Sequence, residues 1–258
     1  MAKIKEMLAL SLLVFLLFFS KEISATVLTI LTEHLAPYQI VSEGSIKGLS
    51  TEIVTATLQQ SQYRYDIIAY PWAMSYQRAK TEKNTCIYSL ARIPVRESAF
   101  KWVGHITSGT ISLYSLSSRQ IFISTVEEAK NYNIAVIRDD VTHHFLLTKG
   151  FIENENLYVV NQYDALLKLL ELPSRNIDLV VLNDDMLKHR VKSLAEMLKY
   201  RPVFPLKELA LNFHLACSLN TDKKVIENLI DAMEMLEHRG VFKKIRKKWE
   251  KNMMAFFN

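Results

Sequence analysis

Short runs rich in apolar and β-branched residues alternate with helix-like stretches in this chain, and they do so in two separate series. Val27–Thr32 has the composition of a strand. Ile53, Val54 and Leu58 then recur at helical spacing, with Ser50 placed as an N-cap. Residues 63–70 alternate as a strand, Pro71 suits the first turn of a helix over 71–80, and 86–90 forms the next strand. Strand, helix, strand, helix, strand predicts a parallel sheet with right-handed crossovers. An extended Ser/Thr-rich segment over 107–116 follows, and the rhythm returns. Strands are predicted at 133–137, 157–160 and 177–182. Helices are predicted at 142–149, ended by Gly150, at 163–172, stopped near Pro173, and at 184–198. A second extended segment over 209–219 leads to a long helix over 222–238, ended by Gly240. A last amphipathic helix carries Val241, Ile245 and Trp249.

Two α/β units joined by two extended segments predict two lobes. The first comprises residues 26–106 and 215–258, the second residues 107–214, with hinge segments near 105–114 and 209–217. A double crossing bends without letting the lobes drift apart. Open α/β sheets bind ligands beyond the carboxyl ends of their strands, so two such lobes enclose a cleft that closes by hinge motion.

Lys3 and Lys5 precede an apolar run over 7–19 that is too short to span a bilayer comfortably, and Ile23-Ser24-Ala25 follows. Residues 1–25 therefore read as a secretory signal peptide cleaved near Ala25. No cysteine follows the apolar run to anchor a lipoprotein. The net charge is a mild +5, and the cluster Lys243, Lys244, Arg246, Lys247 and Lys248 lies on a helical pattern as a solvated face. No nucleic-acid-binding motif accompanies it. Export permits a disulfide between the only two cysteines, Cys86 and Cys217; their apolar surroundings equally suit two buried thiols. No metal or other cofactor is expected. His143 and His144 are adjacent, so they do not face one way on a helix, and they read as surface or cap residues.

Residues 86–103 concentrate the chemistry. A strand runs into a polar turn that presents Ser89, Arg92 and Arg96 around Pro94, and Phe100, Trp102 and Val103 lead to Gly104. The planar fork of Arg96 suits a carboxylate. This run resembles a signature of bacterial periplasmic solute-binding proteins of the polar-amino-acid type, the substrate-binding proteins of ABC transporters (family 3). The resemblance extends to Thr32-Glu33-His34-Leu35-Ala36-Pro37-Tyr38, Gly48, Tyr70-Pro71-Trp72, and Gly240-Val241-Phe242 with Lys248-Trp249. It implies a type II two-lobe fold, periplasmic location, a monomer, and capture of a small polar, carboxylate-bearing solute.

The resemblance also implies a site. Arg96 would grip a carboxylate and Arg92 would assist it; the alternative for either is an ion pair with Glu97 or Glu33. Ser89 would supply a hydroxyl, although Ala91 and Ile93 stand where relatives often carry hydroxyl residues. Tyr38 and Trp72 would form aromatic walls, whereas Tyr70 and Tyr88 read as core. Glu33 stands near the cleft, and Met74 replaces a basic residue common in relatives. The strand over 177–182 ends at Asn183 and Asp184, where amino-acid-binding relatives place an aspartate for the ligand's ammonium. The loop over 138–142 precedes a helix and could offer backbone N–H groups to an anion, but its Asp139-Asp140 pair reads rather as a helix cap. Delivery to a membrane permease is the leading function. A sensory protein signalling to a separate membrane receptor is the alternative, since no transmembrane pattern follows the last helix. A periplasmic dehydratase on the same fold is a third reading, but no nucleophile–base pair is visible, so no enzyme is expected.

Overall fold

The computed structural model describes residues 27–191, 193–209 and 211–254. The signal-peptide reading of residues 1–25 lies outside them. β1 (Val27–Thr32) pairs in parallel with β4 (Arg64–Ala69) on one side and β5 (Thr85–Ala91) on the other. α1 (Leu49–Ser61) and α2 (Trp72–Thr81) make the crossovers. Their apolar faces leave Ile53, Val54, Leu58 and Ala79 with no exposure. A small hairpin, β2 (Ile40–Ser42) and β3 (Ser45–Lys47), interrupts the first crossover and was not legible in the sequence.

The first sheet has the order β4-β1-β5-β12-β6. Its last two members, β6 (Phe100–Gly109) and β12 (Leu211–Ser218), run antiparallel to their neighbours. The second sheet has the order β11-β7-β10-β8-β9. In it β8 (Ile134–Ile137), β9 (Leu157–Val160) and β10 (Leu179–Asn183) are parallel, while β7 (Ile111–Leu116) and β11 (Tyr200–Pro205) are antiparallel. The chain passes between the sheets at Thr110 and again between Pro205 and Leu211, giving the two-strand hinge of a two-lobe α/β fold. Thr107 to Gly109 and Leu211 to His214 pair within the first sheet.

Two local readings change. Ser50 does not cap α1. The cap is Gly48, at φ 130°, where a Cβ would lie 2.3 Å from the Tyr38 carbonyl oxygen. That carbonyl and Pro37's accept the first helical N–H groups, from Ser50 at 2.9 Å and Leu49 at 3.1 Å. The helix predicted over 184–198 is two: α5 (Asp184–Arg190) and, after α3 (Val141–Thr148) and α4 (Tyr163–Glu171) in chain order, α6 (Leu194–Met197). Ser193 starts the second by accepting the Glu196 N–H. The chain closes with α7 (Lys223–His238), capped by Asp222, and α8 (Val241–Met254).

Cys86 and Cys217 face each other on β5 and β12 and are joined by a disulfide, which settles the two alternatives open in the sequence. Both are fully buried beneath α1 and α7.

Candidate functional site

Most residues of the site follow the carboxyl end of a parallel strand or lie in the helix after it, as open α/β sheets dictate. β5 ends at Ala91, and a short 3₁₀ turn, Pro94–Ala99, folds Arg96 back beneath the strand end. The guanidinium lies beside the packed rings of Trp72 and Tyr76, 5.3 and 5.2 Å from centroids that are themselves 5.6 Å apart. Its Nη1 donates to the Ala91 carbonyl at 3.2 Å. Its Nη2 crosses to the other lobe and donates to the Asp139 carbonyl at 2.8 Å. Trp72 Nε1 donates to the same carbonyl at 3.0 Å. Arg96 is 1% exposed. Burial pulls its pKa down, but a guanidinium remains charged in proteins.

The acceptor is built by an unusual backbone. Asp139 is left-handed, at φ 57°, just beyond β8. Its N–H donates to Nδ1 of His143 at 3.2 Å, and Nε2 of His143 meets Glu153 at 3.0 Å. His143 is therefore a buried brace for this turn and not a surface residue. Asp140 caps α3 through Val141 N–H and accepts from Tyr163 Oη at 2.9 Å.

Glu33, directly after β1, faces this group. It is 7% exposed, and among the described residues no hydrogen bond reaches its carboxyl. Desolvation, reinforced by the Asp140 charge, pushes its pKa well above the ordinary value, and Arg96 opposes the shift. Burial likewise raises Tyr163, aided by Asp140 and Glu33. A cavity of about 310 Å³ opens here between the lobes, lined by Glu33, Tyr70, Trp72, Asn161, Gln162 and Tyr163 among others. A second cavity of about 240 Å³ shares His34, Tyr163 and Asp164 and continues along Leu167, Met186 and Leu187. Asp164 is ion-paired with Arg190 at its rim.

A second bridge joins the lobes. Tyr38 Oη donates to Asp185 at 2.9 Å and lies 3.3 Å from Oδ1 of Asn183. That oxygen already accepts the Asp185 and Met186 N–H groups, so Asn183 is the N-cap of α5. Its Nδ2 is buried without a partner. Gly109 makes the bridge possible: a Cβ there would lie 2.3 Å from Asn183 Nδ2 and 2.8 Å from Tyr38 Oη.

Of the residues singled out in the sequence, Arg96, Trp72 and Glu33 converge on one cluster, and Tyr38 and Asn183 on a neighbouring one. Protein carbonyls take Nη1 and Nη2 of Arg96, the pair that a carboxylate grip would use, while Nε is buried without a partner. Arg92 lies outside the cleft, exposed, paired with Glu97 and stacked over Trp102 at 5.1 Å. Asp184 sits at the hinge, accepting from Thr110 at 2.6 Å and Tyr114 at 2.9 Å. Ser89 is buried and donates to Gln39 at 3.0 Å. Tyr88 is core, as read, whereas Tyr70 lines the cavity. Sequence reasoning passed over Tyr76, Tyr163 and Asp185 as site residues, and read Asp140 only as a cap. The aromatic at the start of α4 was the one visible signal.

No family model matches the sequence, and no curated protein matches it. Solved structures do. A histidine kinase sensor domain with similarity to periplasmic binding proteins superposes with a TM-score of 0.76 at 16% identity, covering 87% of this chain and 95% of that one. An ancestral arginine-binding protein bound to arginine gives 0.74 at 13% identity, covering 86% and 97%. The amino-acid ABC transporter substrate-binding protein AbpA from Streptococcus pneumoniae, bound to L-arginine, gives 0.72 at 14% identity, covering 90% and 96%. The chain has the two-lobe periplasmic-binding-protein fold.

Proposed function

We propose that this protein is an exported solute-binding protein that captures a small polar molecule between its lobes. The observation that carries this reading is the pair of adjoining cavities at the strand ends of both sheets, beside side chains that reach from one lobe to the other. Glu33, Trp72 and Tyr70 come from the first lobe, and Asn161, Gln162 and Tyr163 from the second, so a solute in this space touches both. Binding of that kind favours the closed arrangement by its differential affinity and needs no covalent chemistry. The closed lobes would then dock on a membrane partner, the permease of an ABC importer. The similarity to amino-acid importer proteins supports this course, and the disulfide suits an exported chain.

A thermal-shift screen of the protein against amino acids, dicarboxylates, cyclic acids, polyamines and small peptides tests the reading. A solute at about a hundred times its Kd adds roughly 2.7 kcal/mol and raises the melting midpoint by several degrees. No shift across the panel would overturn capture of a solute in these classes. The likeness to a kinase sensor domain favours a second reading, in which the same closure is reported to a separate membrane receptor. Co-purification with a permease or with a receptor kinase separates the two.

A further inference from the structure

Arg96 is largely taken up by the protein, with Nε alone left buried and without a partner. Two of its nitrogens donate to protein carbonyls, its charge abuts the packed pair Trp72 and Tyr76, and it is 1% exposed. The Asp139 carbonyl, pinned by its left-handed backbone, takes the donor that a carboxylate would need. The charge that does face the cavity is negative. Glu33 lines it, is nine-tenths buried, and receives no hydrogen bond among the described residues. Asp140 adds a second carboxylate nearby, held by Tyr163. One guanidinium thus stands against two carboxylates. Trp72, Tyr70 and Tyr163 contribute aromatic surface to the same space, and the adjoining cavity adds Leu167, Leu182, Met186 and Leu187 beside the Asp164–Arg190 ion pair.

A buried carboxylate without a partner is costly unless it is neutralised, and aromatic faces attract cations. We infer that the cleft takes an organic cation, an ammonium or guanidinium on a short apolar stem, with its charge on Glu33 among the aromatic rings and with no carboxylate grip from Arg96. This rests on the capture reading and narrows it. Glu33, when it has taken up a proton in the empty site, would release it as the cation arrives, so binding tightens as pH rises.

Calorimetry on the protein with a matched set of probes tests the inference. Agmatine and arginine share a guanidinium stem and differ by the carboxylate; succinate carries carboxylates alone. Agmatine is expected to bind within about threefold of arginine, and succinate not at all. Replacing the ionised acceptor by a neutral one removes a charge-assisted bond, so Glu33→Gln should weaken agmatine by roughly tenfold or more. The variant should melt no lower than the parent protein, which separates lost binding from lost folding. Binding of arginine with agmatine much weaker, or of succinate alone, overturns the inference and leaves solute capture standing. Unchanged agmatine affinity in Glu33→Gln also overturns it. Silence with all three probes overturns it too, and the wider thermal-shift panel then decides the capture reading by itself.

Discussion

Replacing Arg96 with methionine keeps an unbranched apolar stem and removes the charge. Two separate costs follow. Within the first lobe, the Ala91 carbonyl loses its donor and the packed rings of Trp72 and Tyr76 lose the cation beside them. A hydrogen bond from a charged group contributes about 1.5–3 kcal/mol, and a desolvated cation–π contact up to about 2 kcal/mol. Between the lobes, the bond to the Asp139 carbonyl disappears, although Trp72 Nε1 still reaches that oxygen. Losing about 2 kcal/mol of lobe-to-lobe attraction moves the closed-to-open ratio roughly thirtyfold toward open. Opening rehydrates Asp139, so this second cost falls on closure and the first on folding. The folding cost of about 3 kcal/mol lowers the melting midpoint by roughly 6–12 °C in a chain of this size. Calorimetric melting reads the first effect, and small-angle scattering reads the second as a larger radius of gyration. A variant that melts within a degree of the parent protein, with an unchanged scattering profile, would refute this account of Arg96 as a latch.

Three further outcomes are expected. Glu33 has a folded-state pKa above its unfolded value, so the native state holds the extra proton. Its contribution is fully present below the unfolded pKa and is lost as pH rises towards the folded one. Glu33→Gln should therefore raise the melting midpoint at neutral pH and lose that advantage near pH 4, as melts across the range would show. Cys86 and Cys217 close a loop with a sequence separation of 131, and in the chain-entropy treatment such a bond contributes up to about 5 kcal/mol. Denaturant titration of Cys86→Ser with Cys217→Ser should show a loss approaching that figure. Gly109→Ala should push Asn183 and Tyr38 apart, at a cost of about 1–3 kcal/mol by melting, and spectra sensitive to tyrosine environment should report the lost bridge.

Periodicity and punctuation by themselves determined the elements of this protein. Apolar runs such as 177–182 and the helical spacing of Ile53, Val54 and Leu58 are local properties, set by backbone geometry and by what each residue must bury. They carried the two α/β units, the crossings between them, and the concentration of polar residues at the strand ends. Partnership was decided only by the tertiary structure. The fork of Arg96 suited a carboxylate on chemistry alone, but a left-handed Asp139 from the other lobe, 43 residues away, supplies its acceptor. Arg92, four residues earlier in the same turn, points to Glu97 and solvent. Asn183 looked like a ligand contact and is a helix cap, while its neighbour Asp185 receives Tyr38. Cys86 and Cys217 looked equally suited to two thiols until the register of β5 against β12 set them face to face. The ion pair of Arg92 and the cap at Asn183 are local, but the partners of Arg96, Tyr38 and Cys86 lie across the cleft or more than a hundred residues away, where small shifts of the backbone decide which groups meet. Local pattern carries no record of those distant partners.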